Sequence, residues 1–189
     1  MLYYISDYLA NIAGPFRLLS SYIFLAGLGT ALGAIITWWM LPRYWQFLPV
    51  DRGREYAIDA EKSVGKPISA GALFIPLFIV ISLLVVPFDW KFLEILLCVT
   101  AAMIVGYYDD RARDGWSEYT LGAVDLVLAF LASMAICQWA DFVIWLPLFK
   151  DPITVPPVLF VLGATPLIWI SINATNCSDG VDGLSASLS

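Results

Sequence analysis

The stretch LLSSYIFLAGLGTALGAIITWWMLP, residues 18–42, contains no charged residue. A hydrocarbon core of about 30 Å needs roughly 20 mainly apolar residues in helical form, so this stretch is long enough to cross a bilayer. Hydrophobic residues make up 60% of the 189-residue chain and charged residues 14%, and the mean hydropathy is +0.80. Soluble globular chains average roughly 45–50% apolar and about 25% charged residues. The composition therefore predicts an all-α, polytopic membrane helix bundle within the lipid bilayer and argues against a water-soluble enzyme.

Further apolar runs follow the first, which gives five predicted transmembrane helices. The later runs cover residues 67–88, 92–108, 119–138 and 152–172. The segment 142–149 is too short to span and is predicted to be interfacial or re-entrant. Gly29 and Gly33 form a small-xxx-small pair in the first helix, which favours close packing against a neighbouring helix. We expect residues 1–189 to form a single membrane domain.

The distribution of Lys and Arg assigns the loops to the two sides of the membrane. By parity, one side receives residues 43–66, 109–118 and 173–189. Seven of the 10 Lys and Arg residues lie on that side and three on the other. Because cytoplasmic loops are enriched in Lys and Arg, that side is predicted to be cytoplasmic and the N-terminus to lie outside. The first residues lack a basic region, so the first apolar run is expected to remain as an anchor.

The counts of His and Cys exclude several classes of site. The sequence contains no His, which excludes a His-ligated zinc site and Ser-His or Cys-His nucleophile pairs. The three cysteines are an odd number and imply no disulfide framework. A net charge of −6 argues against a nucleic-acid partner. Carboxylates, amides, hydroxyls, lysine and arginine must therefore carry any chemistry.

Two adjacent carboxylates, Asp109 and Asp110, close the third predicted span in the sequence GYYDDR. Like charges at a membrane interface repel each other, and a Mg²⁺ ion that takes one or two carboxylates plus phosphate oxygens would relieve that repulsion. One carboxylate can hold metal or substrate while the other acts as a base on a phosphate or hydroxyl nucleophile. The alternative is a solvated helix end beside Arg111.

A polar stripe follows the last apolar run in the sequence NATNCSDGVDGL, residues 173–184. Its members recur at every third position, so neighbouring members share one face in a helix: Asn173, Asn176, Asp179 and Asp182. The glycines after the two acids allow backbone N–H groups to approach a ligand closely. Amides and carboxylates in this place suit a nucleotide-sugar head group with its metal. The alternative is a glycine-rich cytoplasmic loop.

Two other polar features have competing explanations. The sequence KSVGKPISAG, residues 62–71, leads into the second span, and its lysines either clamp a diphosphate or reflect only the positive-inside bias. Asp125 lies within the fourth span, where an acid is a functional candidate by default. Glu118, Gly122 and Asp125 share a helix face, so polar packing inside the bundle explains Asp125 equally well.

These motifs resemble the polyprenyl-phosphate N-acetylhexosamine-1-phosphate transferase superfamily, also classed as glycosyltransferase family 4. Its Gly-aromatic-x-Asp-Asp pattern is matched from Gly106 to Asp110. Its long pattern Asn-Ala-x-Asn-x-[Ser/Thr]-Asp-Gly-x-Asp-Gly-Leu is matched from Asn173 to Leu184. A third pattern, Gly-Thr-Pro-Thr-Met-Gly-Gly, is matched loosely within residues 65–72.

The resemblance implies a reaction and a role for each matched residue. In the members that match best, undecaprenyl phosphate attacks the sugar-side phosphate of UDP-N-acetylmuramoyl-pentapeptide and releases UMP, with Mg²⁺ as cofactor. The resemblance assigns Asp109 and Asp110 to nucleophile activation or to metal and diphosphate binding, with Asp182 as a third metal ligand. It places the remaining candidates near the nucleotide and its phosphates: Asn173, Asn176, Asp179, Asp182 and Lys62.

The resemblance also implies a fold of roughly ten helices, of which the five predicted spans are the N-terminal half. We therefore expect this sequence to lack a C-terminal half and to be inactive alone. A second copy of the chain, in a homodimer, is a further candidate partner. Three alternatives stay open. One is a related transferase that uses UDP-N-acetylglucosamine, which the Asp-Asp-Arg triplet favours. The others are a non-catalytic membrane half-protein and a transporter, the last favoured by Asp125.

Overall fold

The computed structural model describes residues 1–50, 64–112, 115–145 and 151–178, without the side chains of Asp7, Cys177 and Ser178. The α-helices in these ranges are α1 (Leu2–Ala10), α2 (Tyr22–Tyr44), α3 (Gly71–Val85), α4 (Trp90–Arg111), α5 (Glu118–Cys137) and α6 (Pro157–Ser178). The other described elements are the 3₁₀ helices Gly14–Ser20 and Trp45–Phe47 and the antiparallel strands β1 (Phe142–Ile144) and β2 (Ile153–Val155).

In the described part of the chain, four helical segments are long and apolar enough to cross a membrane: Tyr22–Phe47, Trp90–Arg111, Glu118–Cys137 and Pro157–Asn176. The second predicted span corresponds to α3, which has 15 residues. At about 1.5 Å per residue, a helix of that length is shorter than a hydrocarbon core of about 30 Å. The predicted all-α membrane bundle is confirmed, with four spans of full length and a shorter second helix.

The region between α5 and α6 differs from the prediction. The segment 142–149 contains strand β1, and the fifth span does not begin at residue 152, because residues 153–155 form β2. Phe142 pairs with Val155 and Ile144 with Ile153. Aromatic and β-branched residues favour a strand at both places. Helix α6 begins only at Pro157, and proline is well suited to the first position of a helix.

All three predicted cytoplasmic regions begin within helices, and α4 extends through Arg111 into the region 109–118. Helix α2 continues through Arg43 to Tyr44, so the region 43–66 starts with helical residues. Helix α6 continues to Ser178, so the region 173–189 also starts in a helix. An apolar run marks the part of a helix that lies in the hydrocarbon. It does not show where the helix itself ends, because polar residues can continue it.

The chain divides into two compact units, of which the first comprises Met1–Trp90 and Met103–Gly115. Its buried core contains Leu19, Leu25, Ile81 and Val85. Gly29 on α2 lies so close to α3 that a Cβ atom there would be 3.5 Å from Val85 and 3.6 Å from Ile81. A Cβ atom at Gly33 would be 3.8 Å from Ile81. The predicted packing role of this glycine pair is confirmed.

Helix α1, which the sequence did not predict, is tied to the same unit. The ring of Tyr3 stacks on that of Tyr22 with centroids 5.4 Å apart. The N-terminal ammonium of Met1 donates hydrogen bonds to the carbonyl oxygens of Leu83 at 3.1 Å and Leu84 at 2.9 Å. Carbonyls in the last turn of a helix have no partner within it, so this contact caps the end of α3.

The second unit comprises Lys91–Ala102 and Trp116–Ser189. Helix α5 begins after Ser117, whose Oγ accepts a hydrogen bond from the backbone N–H of Thr120 at 3.2 Å. It ends at Gln138, which has a left-handed conformation with φ 54° and donates its N–H to the carbonyl of Met134 at 2.9 Å. Helix α5 therefore has a local capping interaction at each end.

Polar contacts join α5 to α6 inside this unit. Ser133 is fully buried, and its hydroxyl lies 2.9 Å from that of Thr165. The indole Nε1 of Trp169 donates to the carbonyl oxygen of Gly122 at 2.8 Å. Hydrogen bonds between apolar helices compensate for the absence of water in a membrane, so these pairs fix how the two helices pack.

Candidate active site

The Asp109–Asp110 pair lies in the last turn of α4. The helix ends because Ala112 is extended, with φ −61° and ψ 144°, and its N–H donates to the carbonyls of Tyr108 and Asp109 at 3.0 and 3.1 Å. Asp109 is half-buried and Asp110 is exposed. The C-terminal end of a helix carries the negative pole of its dipole, so two carboxylates there favour a cation or a hydrogen-bond donor. This placement makes the pair suited to bind such a group.

Ser69, in the loop before α3, supplies a donor to this pair. Its hydroxyl donates a hydrogen bond to Oδ2 of Asp110 at 2.5 Å, although the two residues are 41 positions apart. The loop is held on both sides of the serine. The N–H of Ile68 donates to the carbonyl of Pro49 at 2.8 Å, and that of Ala72 to the carbonyl of Ser69 at 2.9 Å. The first unit therefore brings a loop hydroxyl onto the carboxylate.

The sequence predicts a phosphate contact at a different residue of this region, Lys62, which lies outside the described residues. Lys66 is described and exposed. Ser69 was missed, although it lies within the loosely matched segment 65–72. The spacing of a motif along the chain cannot reveal a contact with a residue on another helix.

The amides Asn173 and Asn176 lie on the last turns of α6. Asn173 is half-buried, and its Nδ2 donates to the carbonyl oxygen of Trp169 at 2.9 Å. Asn176 is exposed, one turn further on. Because residues three apart are neighbours on a helix surface, these two amides share a face, as predicted. Asn173 keeps its side-chain oxygen as an acceptor for a ligand.

The structure places the described candidates in two groups. Asp109 and Asp110 belong to the first unit, whereas Asn173 and Asn176 belong to the second. The other two members of the stripe, Asp179 and Asp182, lie outside the described residues. The geometry of each pair is therefore described within its own unit.

Asp109 and Asp110 fit a Mg²⁺ ion by the chemistry of their donor atoms. Mg²⁺ binds hard oxygen ligands and commonly takes one or two carboxylates together with substrate phosphates and water. Within the described ranges, no group of three or more His, Cys, Asp or Glu side chains gathers into a metal cluster. Asp182, the third ligand that the resemblance implies, lies outside the described residues.

Asp125 is buried, with 6% of its surface exposed. It lies three residues after Gly122, whose carbonyl oxygen accepts the indole N–H of Trp169. The face of α5 that carries both residues is therefore turned toward α6 at Gly122. This geometry favours the second of the two explanations for Asp125, polar packing inside the bundle.

Comparison with known proteins identifies the class to which this arrangement belongs. The family model named glycosyl transferase family 4 matches residues 92–189. The match covers α4, α5 and α6 and includes both the Asp109–Asp110 pair and the polar stripe. The chain belongs to glycosyl transferase family 4, as the motifs predicted.

Individual relatives carry a more specific name. The chain is 42% identical over 185 residues to the phospho-N-acetylmuramoyl-pentapeptide-transferase of Treponema pallidum strain Nichols, which covers 96% of the chain and 51% of the relative. It is 30% identical over 139 residues to the protein of that name from Aquifex aeolicus, covering 69% of the chain and 39% of the relative. The chain thus spans about half the length of the curated relatives it matches. No solved structure matches it.

The helices and the relatives agree on where the chain resides. Four described segments are long and apolar enough to cross a membrane. The matched relatives are bacterial proteins. The chain is accordingly a multi-pass bacterial membrane protein.

Proposed function

We propose that the complete protein transfers phospho-N-acetylmuramoyl-pentapeptide from its UDP-linked donor to undecaprenyl phosphate, forming the first lipid intermediate of peptidoglycan synthesis. The observation that carries this proposal is the 42% identity over 96% of the chain to a transferase of that name. The position of Asp109 and Asp110 supports it, because they lie at the end of a membrane-length helix. The phosphate of a lipid lies at the membrane surface, where the end of such a helix is expected to lie.

The proposed reaction is a phosphoryl transfer. An oxygen of the lipid phosphate forms a bond to the sugar-side phosphorus of the donor. The bond between that phosphorus and the bridging oxygen breaks, and its electron pair leaves with UMP. Positioning of the reactants and neutralisation of their charge supply most of the catalysis in such reactions. The side chains of this protein therefore act mainly by binding and orienting the reactants and by neutralising their charge.

Each candidate residue has a role in this proposal. Asp109 and Asp110 take up a proton from the lipid phosphate or hold the cation. Mg²⁺, when bound, neutralises charge on the diphosphate, and Asp109, Asp110 and Asp182 would hold it. Asn173 and Asn176 orient the nucleotide through their amides, alongside Asp179. Lys62 contacts a phosphate.

The active face is proposed to lie on the cytoplasmic side of the inner membrane, with the N-terminus outside. The distribution of Lys and Arg supports this orientation. Arg43, Lys66 and Arg111, assigned to the predicted cytoplasmic side, are all exposed.

The proposal is tested by measuring UMP release from the purified complete protein with undecaprenyl phosphate and Mg²⁺. We expect turnover with UDP-N-acetylmuramoyl-pentapeptide and none with UDP-N-acetylglucosamine. Turnover with the second donor alone would replace this proposal with the related transferase. An absence of UMP from both donors would favour a non-catalytic membrane protein. The 189-residue chain, assayed in parallel, is expected to be inactive alone.

A further inference from the structure

We propose that Ser69 is a positioning residue for this transfer, which holds the Asp110 carboxylate in one orientation. The inference rests on the proposed function. Its basis is the hydrogen bond from the Ser69 hydroxyl to Oδ2 of Asp110, at 2.5 Å. Both residues belong to the first unit, so the contact lies within one compact part of the chain.

An exposed aspartate at a helix end does not hold one orientation by itself. Asp110 is exposed, and its side chain can rotate among several staggered conformations. A hydrogen bond from a hydroxyl to an ionised carboxylate is stronger than one between neutral groups, so it selects one of them. With Oδ2 bound by Ser69, the lone pairs of Oδ1 can serve the reacting phosphate or a cation. Small errors in such placement lower the rate of transfer strongly.

The backbone of Ser69 gives a second, independent reason. Its φ is +60°, in the left-handed region that residues other than glycine seldom adopt. Conformations of this kind persist where surrounding contacts enforce them, and they gather at functional sites. Here the hydrogen bonds of Ile68 to Pro49 and of Ala72 to Ser69 hold the loop. Glycine would adopt this φ without strain, so what serine adds at this position is its hydroxyl.

The test compares three substitutions of Ser69 in the complete protein by UMP release. Ser69→Gly removes the hydroxyl and relieves the backbone, and Ser69→Ala removes the hydroxyl alone. We expect both to lower kcat by about tenfold to a hundredfold, the effect of losing a hydrogen bond to a charged group, with little change in the KM of the donor. Ser69→Asn tolerates the left-handed backbone and supplies an N–H donor, so it should recover most of the loss.

A matched control and a second readout complete the design. Ser20→Ala removes a hydroxyl that donates within its own helical turn, to the carbonyl of Arg17 at 2.7 Å, and should leave kcat unchanged. Thermal unfolding of Ser69→Ala, Asp110→Ala and the double variant measures the contact without turnover. The serine substitution should lower Tm in the wild-type background and have little effect beside Asp110→Ala, which lacks the acceptor.

The outcomes separate this inference from the proposed function. Wild-type kcat in Ser69→Gly would overturn the positioning role, because a hydroxyl that matters cannot be removed without loss. Equal losses in Ser69→Gly and Ser69→Asn would also overturn it, as would equal Tm changes in both backgrounds. A wild-type protein that releases no UMP would instead refute the proposed function, and the inference with it.

Discussion

The indole Nε1 of Trp169 on α6 donates a hydrogen bond to the backbone carbonyl of Gly122 on α5, at 2.8 Å. A Cβ atom at Gly122 would lie 4.0 Å from the indole, so the ring rests directly against the glycine. The carbonyl of the same tryptophan accepts the side-chain N–H of Asn173 at 2.9 Å. One residue thus ties α6 to α5 and holds an amide of the polar stripe.

Replacing this indole should loosen the packing of the two helices. Trp169→Phe keeps an aromatic ring but removes the N–H that Gly122 accepts. Side-chain hydrogen bonds between transmembrane helices contribute about 0.6 kcal/mol on average and up to roughly 1.7 kcal/mol. We expect a loss of about 1 kcal/mol in the free energy of unfolding, measured in detergent on the complete protein.

Trp38→Phe is the matched control for this change. Trp38 lies on α2 and is 80% exposed, so its ring packs little against the rest of the chain. The same substitution should therefore leave the free energy of unfolding almost unchanged. An equal loss in both variants would mean that ring size, and not the contact with Gly122, sets the stability.

The two glycines Gly27 and Gly29 should respond in opposite ways to a large side chain. A leucine at Gly29 would extend into Val85 and Ile81, because a Cβ atom there is already at 3.5 and 3.6 Å from them. Overpacking of this kind destabilises by about 1–3 kcal/mol. Gly29→Ala should be tolerated, since both distances are ordinary van der Waals contacts.

Gly27→Leu provides the comparison on the same helix. A Cβ atom at Gly27 would meet nothing within 4 Å, and the residue is exposed. Leucine is a better helix former than glycine, so this variant should be neutral or slightly more stable. The measurement is again unfolding in detergent. Similar losses at both positions would exclude close approach of α2 and α3 as the cause.

The positions of the long helices could be predicted from sequence because one requirement dominates them. A segment that crosses a bilayer needs a long apolar run, and such runs are visible without any knowledge of contacts. The β1–β2 pair could not be predicted in this way. Strands of three residues, as in Phe142–Ile144, are too short to show a period. Helix α1 was missed for a different reason, since its nine residues are too few to cross a bilayer and lie before the first long apolar run.

The candidate site likewise contains residues that the sequence predicts and one that it does not. Asp109, Asp110, Asn173 and Asn176 could be selected because each lies in a dense local motif. Ser69 could not, since its importance depends on a contact across 41 residues. Its φ of +60° was also invisible, because serine gives no sequence signal for a left-handed backbone in the way that glycine does. Tertiary contacts and backbone strain are properties of the fold, not of a motif.

Neutralising either carboxylate of the pair should abolish most of the transfer. In the complete protein, Asp109→Asn and Asp110→Asn each remove a negative charge and a proton acceptor while keeping the side-chain shape. General base catalysis alone contributes about 10²–10⁴-fold, so we expect UMP release to fall by at least about a hundredfold. Steady-state rates over a range of donor concentrations give the measurement.

The control for these variants lies at the opposite end of the same helix. Asp89 precedes α4, is exposed and makes no side-chain cap hydrogen bond there. Asp89→Asn should therefore retain the wild-type rate. Near-normal product formation in Asp110→Asn would exclude this carboxylate from the catalytic role proposed for the pair.

Removal of divalent cations should stop the transfer and Mg²⁺ should restore it. Asp109 and Asp110 provide two carboxylates, so Asp182 and the diphosphate of the donor would complete the ligand set. Purified complete protein treated with EDTA is expected to release no UMP, and titration with Mg²⁺ should recover the rate. Ca²⁺ should restore less, because it prefers more ligands at longer distances. An EDTA-treated enzyme that keeps its full rate would show that the carboxylate pair works without a metal ion.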